Sequence, residues 1–458
     1  MTNSNNILKR ALLAVMLGTL AASSVANAQV SAQEAGQLKT TLTPLGGERA
    51  GNKEGTIPAW TGGYTNPSGA FKQGRRMDPF ANEKPLFSIT AKNMNQYADK
   101  LTDGIKAMLK RFPESYRIDV YPTHRTEVAP QFVYDNTFKN ATRAKLVSGS
   151  TGPIPVGAWG GIPFPIPHNG SEVMWNHLLR WQGRARSESA SAYLVTPEGR
   201  RVLITETLGD VESPYYGSTE APKNFDGLYF MLKGVTVDPP IRVGEGIIGF
   251  NNLDESKSDA WVYLTGQRRT RKLPNPCCDT PIPNAGGLEG FDEAFIWGGR
   301  LGLFNWKLLG KKEMYVPYNC AKANLGKISD VLGPHHMNPD YLRWELHRVW
   351  VVEATLAPGH RHQTHRGMYY VDEDSWYALL GDRWDSKGDL WKVAGALPMI
   401  MPDMPGNLDQ SYYFYDLAAG SYVVTPNVIG SLDQTRFMPA GFSKEHFAPE
   451  ALAGAAAR

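Results

Sequence analysis

The sequence predicts an α+β fold in which a large, mostly antiparallel sheet or open barrel follows a part rich in loops and helices. Short runs of β-branched and aromatic residues follow one another after residue 190, separated by turn signals such as PEG at 197–199. Their connections are too short for crossover helices, which disfavours parallel pairing. Two longer stretches in which apolar residues recur at helical spacing precede these runs.

The first 28 residues predict a secretory signal peptide. Lys9 and Arg10 precede an apolar run at 11–22, and the motif ANA at 26–28 is a small-x-small cleavage site. The apolar run is shorter than the ~20 residues that cross a bilayer, which favours a cleaved peptide over a membrane anchor. We therefore expect cleavage near Ala28 and a periplasmic location.

The composition indicates how large a core the chain can bury and which class of partner is not expected. A chain of 458 residues with 42% hydrophobic content can bury a large core. Its 48 Lys and Arg residues are nearly balanced by 45 Asp and Glu residues, so the basic surplus typical of nucleic-acid binding is missing. We expect no nucleic-acid partner.

We interpret residues 29–458 as one large domain with three parts. Residues 29–189 are rich in loops and helices, residues 190–430 carry the antiparallel sheet, and residues 431–458 form a C-terminal tail. This division follows the change from helical spacing to short β-type runs.

Three stretches of the first part predict helices. Ser31 and Glu34 have the spacing of a capping box, which predicts a short helix at 31–39. Residues 90–111 carry apolar side chains at steps of three and four. A third helix is expected over 171–186, with Ser171 as its N-cap.

The sheet is expected to begin with the hairpin ASAYLVT and RRVLITETL and to continue through short strands to about residue 430. The further predicted strands are LYFMLKGVTV, AWVYLTG, QRRTRKL, RVWVVEATL, HRGMYYV, WYALLGDRW, LWKVAGAL, YYFYDL and SYVVTP. The aromatic segment AFIWGGRLGLFNWKLLG, residues 294–310, obeys neither the helical nor the strand period over its full length. It is predicted to be a helix or loop that covers the sheet, with core packing favoured over a movable lid.

The sequence contains no well-supported catalytic or cofactor-binding motif. GEGIIG at 244–249 matches a dinucleotide fingerprint, but a poor helix former follows it and the neighbouring units are hairpins. G-x-S-x-G and H-E-x-x-H do not occur. We expect no cofactor and no enzymatic activity.

Three histidines, His360, His362 and His365, raise the question of a metal centre. If they lie on one strand, His360 and His362 share a face and His365 points to the other, so three ligands on one face require a bulge. Solvated strand histidines are therefore favoured, and no metal ligand is assigned. A metal-dependent enzyme that uses His360 and His362 is kept as an alternative.

The three cysteines, Cys277, Cys278 and Cys320, lie in a part of the chain that is exposed to oxidation after export. Their odd number leaves at least one thiol without a partner in the chain. The candidate disulfide joins Cys320 to Cys277 or to Cys278. The spacing of Cys and His does not fit a zinc site.

Five blocks of the sequence resemble an exported proteobacterial family of unknown function that is often labelled outer membrane lipoprotein-sorting protein. The resemblance covers nearly all of the mature chain. The blocks are LTPLGGERAGNKEGTIPAWTGG (42–63), WVYLTGQRRTRKLPNP (261–276), DTPIPNAGGLEGFDE (279–293), NWKLLGKKEMYVPYN (305–319) and NPDYLRWELHRVWVVEATL (338–356).

This resemblance implies a fold similar to the periplasmic lipoprotein-localisation carriers, in which helices plug a strongly curved, incomplete β-barrel around an apolar cavity. It brings no catalytic residues. It also implies two protein partners, an inner-membrane transporter of the resistance-nodulation-division type and an outer-membrane protein. The chain is nearly twice the size of a simple carrier, so the resemblance does not make a lipoprotein the cargo.

The resulting hypothesis is a periplasmic carrier or transport accessory protein that binds a lipid-like or other hydrophobic ligand. A cargo-free module that docks to an outer-membrane protein is a further alternative. Alternation along a strand turns about half of the sheet aromatics toward a cavity. The candidate ligand-binding residues are Trp297, Phe304 and Trp306 in the cover and Trp261, Tyr263, Trp350, Tyr369 and Tyr370 in the sheet.

Overall fold

The computed structural model describes residues 30–66, 69, 71–72, 75–274, 277–282, 285, 287–409 and 411–456. The predicted signal peptide, residues 1–28, lies outside the described residues. Within these ranges, no helix is both long enough and apolar enough to cross a membrane.

Helices are few and most of them are short. Ser31 caps the first helix, and the predicted capping box with Glu34 is confirmed. The α-helices of the described residues are α1 (Ala32–Ala35), α2 (Asp103–Arg111), α3 (Gln131–Arg143), α4 (Gly170–Leu178), α5 (Ala321–Asn324), α6 (Ile328–Val331) and α7 (Pro449–Ala456).

The predicted helix over 90–111 is divided into two. A 3-10 segment, Met94–Lys100, ends at Leu101, whose backbone is extended. The hydroxyl of Thr102 then accepts a hydrogen bond from the Ile105 amide and caps α2. A threonine inside an apolar stripe can therefore end one helix and begin another.

The predicted helix over 171–186 is wrong at both ends. Its cap is Asn169, whose side chain accepts from the Glu172 amide, and the helix ends at Leu178. Gly183 has φ +81°, which favours glycine and stops helical continuation. The residues after it enter the first long strand of the sheet at Ala185.

Sixteen strands form one sheet, and the mostly antiparallel sheet that the sequence predicts is confirmed. Its one parallel pair among the described strands joins Trp344 to Val120. The strands are β3 (Phe87–Ile89), β4 (Ile118–Val120), β7 (Ala185–Val195), β8 (Arg201–Glu212), β9 (Leu228–Asp238), β10 (Gly246–Asn252), β11 (Asp259–Leu264), β12 (Arg269–Lys272), β13 (Phe304–Pro317), β14 (Trp344–Leu356), β15 (Arg366–Asp372), β16 (Ala378–Trp384), β17 (Leu390–Ala396), β20 (Tyr412–Asp416), β21 (Ser421–Asn427) and β22 (Arg436–Phe437).

Strands follow the order β12-β11-β10-β9-β8-β7-β21-β20-β17-β16-β15-β14-β4-β3, and the sheet does not close. β13 pairs with β14, and β22 pairs with β7. Three two-stranded sheets stand apart: β1 (Phe71–Lys72) with β2 (Arg75–Arg76), β5 (Lys145–Gly149) with β6 (Gly152–Val156), and β18 (Met399–Met401) with β19 (Gly406–Leu408). Because β3 and β4 come from residues 29–189, the first part of the chain also contributes to the sheet. The predicted three-part division stays a prediction.

The prediction of a helix or loop over 294–310 is wrong for its second half. From Phe304 onward the chain is strand β13, which pairs with β14 from Phe304↔Leu356 to Pro317↔Trp344. The register shifts between Leu308 and Gly310. Such an irregularity inverts the alternation of side chains, so the sequence shows no continuous strand period.

Both faces of the central strands are buried. On β20, Tyr412 and Phe414 belong to one hydrophobic core, whereas Tyr413 and Tyr415 belong to another on the opposite face. We call these the first and the second core. Helices α3 and α4 contribute to the first core, and α2, α5 and α6 contribute to the second.

Helix α7 covers a smaller patch on β9–β12. Its residue Leu452 is fully buried against Ile248 and Tyr263. The predicted C-terminal tail, residues 431–458, therefore includes a helix that packs on the sheet.

Candidate functional site

A cavity of about 270 Å³ with a mostly apolar wall lies against strands β7–β10. On β10, Ile247 and Gly249 line the cavity, whereas Ile248 between them contacts α7 on the other face. Such a volume lies just below the range of roughly 300–1,000 Å³ found for pockets that bury drug-sized ligands. It is large enough for a small organic molecule.

Small residues on the strands leave this space open. Thr205, Thr207 and Gly209 alternate along the cavity face of β8. A Cβ atom added to Gly209 would meet no atom closer than 3.8 Å. Larger apolar side chains form the remainder of the strand wall, among them Val211, Tyr229, Phe230, Leu232, Ile247 and Phe250.

The opposite wall is the segment 289–299. Phe295 and Ile296 have φ of +56° and +70°, a left-handed backbone that is costly for residues with a Cβ. Phe295 lines the cavity and packs on Phe230 and Tyr412, with ring centroids 6.0 and 5.9 Å apart.

Two buried side chains hold this turn in place. The Nε2–H of His177 donates to the Trp297 carbonyl at 3.0 Å, and its Nδ1 accepts from the Ala378 amide at 3.0 Å. The guanidinium of Arg383 donates to the Ile296 carbonyl. Burial and the nearby cation Arg180 lower the pKa of His177 to about 3, so the ring is neutral at physiological pH. These contacts fix Phe295 at the cavity.

One end of the cavity is polar. Arg180 and Gln182, both at most 4% exposed, lie on its wall with Tyr412 and Glu289. The hydroxyl of Tyr412 lies 3.1 Å from Oε1 of Glu289. Burial raises the pKa of Glu289 well above its ordinary value, and the nearby carboxylate of Glu293 acts in the same direction.

The arginines at this end are already paired with carboxylates. Nη2 of Arg180 lies 3.1 Å from Oδ1 of Asp409, and both side chains are almost fully buried. Nε of Arg186 lies 2.8 Å from Oε2 of Glu188. The polar end thus carries matched charges and offers hydrogen-bonding groups more than net charge.

None of the eight aromatic residues that the sequence suggested for ligand binding lines this cavity. Four of them, Trp297, Phe304, Trp306 and Tyr369, pack against one another with ring centroids 5.0 to 5.9 Å apart. Aromatic rings at such distances stabilise each other and fill the first core. They form a packed cluster and not a cover over the cavity.

The other four aromatics are also placed elsewhere. Trp350 stacks on Trp376 at 6.3 Å beside the first core, and Tyr370 belongs to the second core. Trp261 and Tyr263 lie in the patch under α7. Strand alternation alone did not reveal which face of each strand is open.

The three histidines of HRHQTH lie in the loop between β14 and β15. The alternation of side chains between the two faces of a strand therefore does not apply to them. His360 and His365 are exposed, whereas His362 is buried. Nε2 of His362 lies 2.7 Å from Oδ2 of Asp292, and Nδ1 accepts from the Thr364 amide. Burial opposes the charge on His362, but the bond to Asp292 raises its pKa overall. No group of three potential metal ligands occurs in the part of the chain that the structure describes.

The predicted disulfide is wrong. Cys277 is bonded to its neighbour Cys278, and Cys320 is a free, fully buried thiol. Cys277 and Cys278 line the cavity, whereas Cys320 belongs to the second core on the opposite face of the sheet. The intervening sheet keeps them apart.

This pairing predicts the number of reactive thiols. We expect that the folded protein reacts with no thiol reagent, that the unfolded, unreduced protein exposes one thiol, and that reduction exposes three. Burial raises the pKa of the Cys320 thiol, which further suppresses its reaction. Mass spectrometry after alkylation counts the thiols. Alkylation of Cys277 or Cys278 in the unfolded, unreduced protein would contradict the pairing.

Sequence reasoning missed the residues that form the cavity. The small side chains of β7 and β8 carry no recognisable motif, and neither does the wall at 289–299. Glu289 and Asp292 lie in the block DTPIPNAGGLEGFDE, which the family resemblance had already singled out. That block was the available signal for the position of the site.

Comparison with known proteins gives a family for most of the chain. Residues 88–453 match the family model described as protein of unknown function (DUF1329). An uncharacterized protein of Pseudomonas aeruginosa is 40% identical over 418 residues, which cover 89% of this chain and 90% of that protein.

Three solved structures resemble the chain at low identity. A putative outer membrane lipoprotein-sorting protein domain from Vibrio parahaemolyticus has a TM-score of 0.42 and 14% identity, covering 62% of this chain and 98% of that one. A DUF1329 family protein from Desulfovibrio piger has a TM-score of 0.39 and 14% identity, with 59% and 92% covered. A LolA superfamily protein from Nitrosomonas europaea has a TM-score of 0.35 and 12% identity, with 62% and 100% covered.

Proposed function

We propose that this chain, which belongs to the DUF1329 family, is a periplasmic carrier or transport accessory protein that binds a hydrophobic ligand in the cavity beside β7–β10. The family resemblance is confirmed by the match over residues 88–453, which contains four of the five sequence blocks. The observation that carries the proposal is the cavity itself. Its wall is mostly apolar, and small residues such as Gly209 leave it unfilled.

The driving force for binding is the removal of apolar surface from water, about 25 cal/mol per Å². Phe230, Leu232 and Ile247 supply such surface on the strands, and Phe295 supplies it from the opposite wall. Because buried hydrogen bonds hold the segment of Phe295, the wall is formed before a ligand arrives. A preformed site loses little conformational entropy on binding.

The proposed function also includes export to the periplasm and interaction with two protein partners. The predicted signal peptide supports a periplasmic location. The family resemblance supports a role in which the protein acts together with an inner-membrane transporter of the resistance-nodulation-division type and an outer-membrane protein. A hydrophobic molecule that crosses the aqueous periplasm needs shelter from water, which a cavity of this kind provides.

The test is whether the exported protein takes up apolar molecules. We expect the chain, expressed with its own leader in a Gram-negative host, to be recovered from the periplasm. Native mass spectrometry is expected to show a bound small molecule that organic extraction releases. The extracted protein should then bind the fluorescent apolar probe 1-N-phenylnaphthylamine at about one molecule per chain. A protein that carries no ligand and binds no probe would contradict the carrier proposal and favour the cargo-free docking module.

A further inference from the structure

Two buried polar atoms on the cavity wall have no hydrogen-bond partner among the described residues. They are Nε of Arg180, whose residue is 2% exposed, and Oε1 of Gln182, whose residue is 4% exposed. A buried polar group without a partner has lost its hydrogen bonds to water and gained none in return, which is unfavourable. One atom is a donor and the other is an acceptor, and they belong to residues two positions apart. A ligand group that accepts from the first and donates to the second would satisfy both.

Further contacts place the side chain of Arg180 at the polar end of the cavity. The guanidinium of Arg180 lies 5.1 Å from the ring centroid of Phe295, and the ring of Phe295 packs on that of Tyr412. Oδ1 of Asp292, on the same wall, is a second buried acceptor without a partner in the described ranges.

The paired charges around Arg180 disfavour an ionic ligand group beside it. Arg180 is neutralised by Asp409 at 3.1 Å, and its Nη1 donates to the His177 carbonyl at 2.6 Å. Arg186 is neutralised by Glu188. A ligand ion added here would be buried without a counter-charge, which is far more costly than burying a neutral polar group.

We propose that the ligand is an uncharged amphipathic molecule whose end group is a hydroxyl, accepting from Nε of Arg180 and donating to Oε1 of Gln182. This inference rests on the proposed carrier function and names its ligand class. The volume of about 270 Å³ fits one apolar chain or a compact ring system and not a lipid with several acyl chains. A hydroxyl both donates and accepts a hydrogen bond, whereas an ether only accepts.

Four probes with the same eight-carbon chain separate the possible end groups. They are 1-octanol, octyl methyl ether, octanoate and octylammonium, each used to displace 1-N-phenylnaphthylamine from the extracted protein at pH 7. We expect octanol to displace the dye at a concentration about tenfold lower than the ether, with both ions weaker than octanol. Equal potency of octanol and ether, or tightest binding by either ion, would overturn the hydroxyl assignment.

The variant Gln182→Met tests the acceptor, since methionine fills a similar volume without the amide oxygen. We expect the advantage of octanol over the ether to fall to about one while the dye still binds. The control Thr236→Val removes another buried hydroxyl that has no partner in the described residues and does not line the cavity. It should leave the tenfold preference unchanged. A tenfold preference that persists in Gln182→Met would overturn the proposal.

Failure of this inference differs from failure of the carrier proposal. If the dye binds and all four probes displace it equally, the cavity takes apolar molecules but does not select a hydroxyl. If neither the dye nor any probe binds, the carrier proposal itself is wrong.

Discussion

The substitution Gly209→Trp is expected to weaken binding of an apolar probe by roughly a hundredfold, or about 2.8 kcal/mol. Gly209 lines the cavity, and a Cβ atom there would meet nothing closer than 3.8 Å. The indole therefore enters the space that a ligand would occupy. Titration of 1-N-phenylnaphthylamine fluorescence measures the loss.

The matched control is Leu208→Trp. Leu208 is the neighbouring residue of β8, is 54% exposed and points to the opposite face of the strand. The substitution adds an indole to the same strand without entering the cavity. The affinity for the probe should therefore stay within about twofold of that of the unaltered protein, a free-energy change of less than roughly 0.5 kcal/mol. Both variants should retain their thermal stability, because tryptophan is well tolerated in strands. Undiminished binding by Gly209→Trp would place the ligand elsewhere.

The substitution His347→Leu is expected to lower the free energy of unfolding by about 3–5 kcal/mol. His347 is fully buried between two carboxylates, with Nε2 at 3.1 Å from Oε2 of Glu345 and Nδ1 at 3.5 Å from Oδ1 of Asp372. Tyr318 stacks on its ring at 3.9 Å. Leucine would leave two buried carboxylates without this cation. Denaturant unfolding followed by fluorescence measures the change.

The effect should depend on pH in a definite direction. Burial disfavours the charged imidazole, but the hydrogen bonds and charges of Asp372 and Glu345 outweigh it and raise the pKa of His347 to about 9. Because the folded pKa lies above the ordinary value of 6.5, the stabilisation is complete below pH 6.5 and is lost as pH rises through about 9. The two carboxyls have lowered pKa values, so their contribution is lost in acid.

A half-buried histidine pair provides the control for this prediction. His446 and Asp210 lie 2.7 Å apart, but their side chains are 29% and 24% exposed. His446→Leu should therefore cost no more than about 1 kcal/mol. A loss of similar size in the two variants would show that the buried cluster has no special role in stability.

The sheet could be predicted because its strands are short, separated by turns and rich in β-branched residues. All of the predicted runs from ASAYLVT to SYVVTP are strands in the structure. Strand β13 escaped prediction because its register shifts between Leu308 and Gly310. Helix α3 escaped because much of its buried face is polar: Asn136 and Asn140 are buried and donate to carbonyls of neighbouring loops. A stripe of buried amides does not show as hydrophobic periodicity.

The site could be predicted as an apolar cavity beside the sheet, but its residues could not. The candidate ligand-binding residues were large aromatics, which bury the most surface, but such residues fill the core. A cavity needs the opposite, as at Thr205, Thr207 and Gly209, where small side chains leave room. Which face of a strand has that room depends on what packs across from it. The order of strands along the sheet decides this, and one sequence does not reveal that order.

The strand order also has a consequence for how the chain acquires its structure. Strand β7, which opens the cavity wall, is paired on one side by β8 and on the other by β21, where Val195 meets Tyr422. Synthesis delivers the amino terminus first, so the β7–β12 meander is complete long before β21 arrives. Until then β7 is an unpaired edge, a template for aggregation. Contacts between such distant parts of a chain form slowly. We therefore expect a long-lived folding intermediate, and the final joining of β7 to β21 as the rate-limiting step.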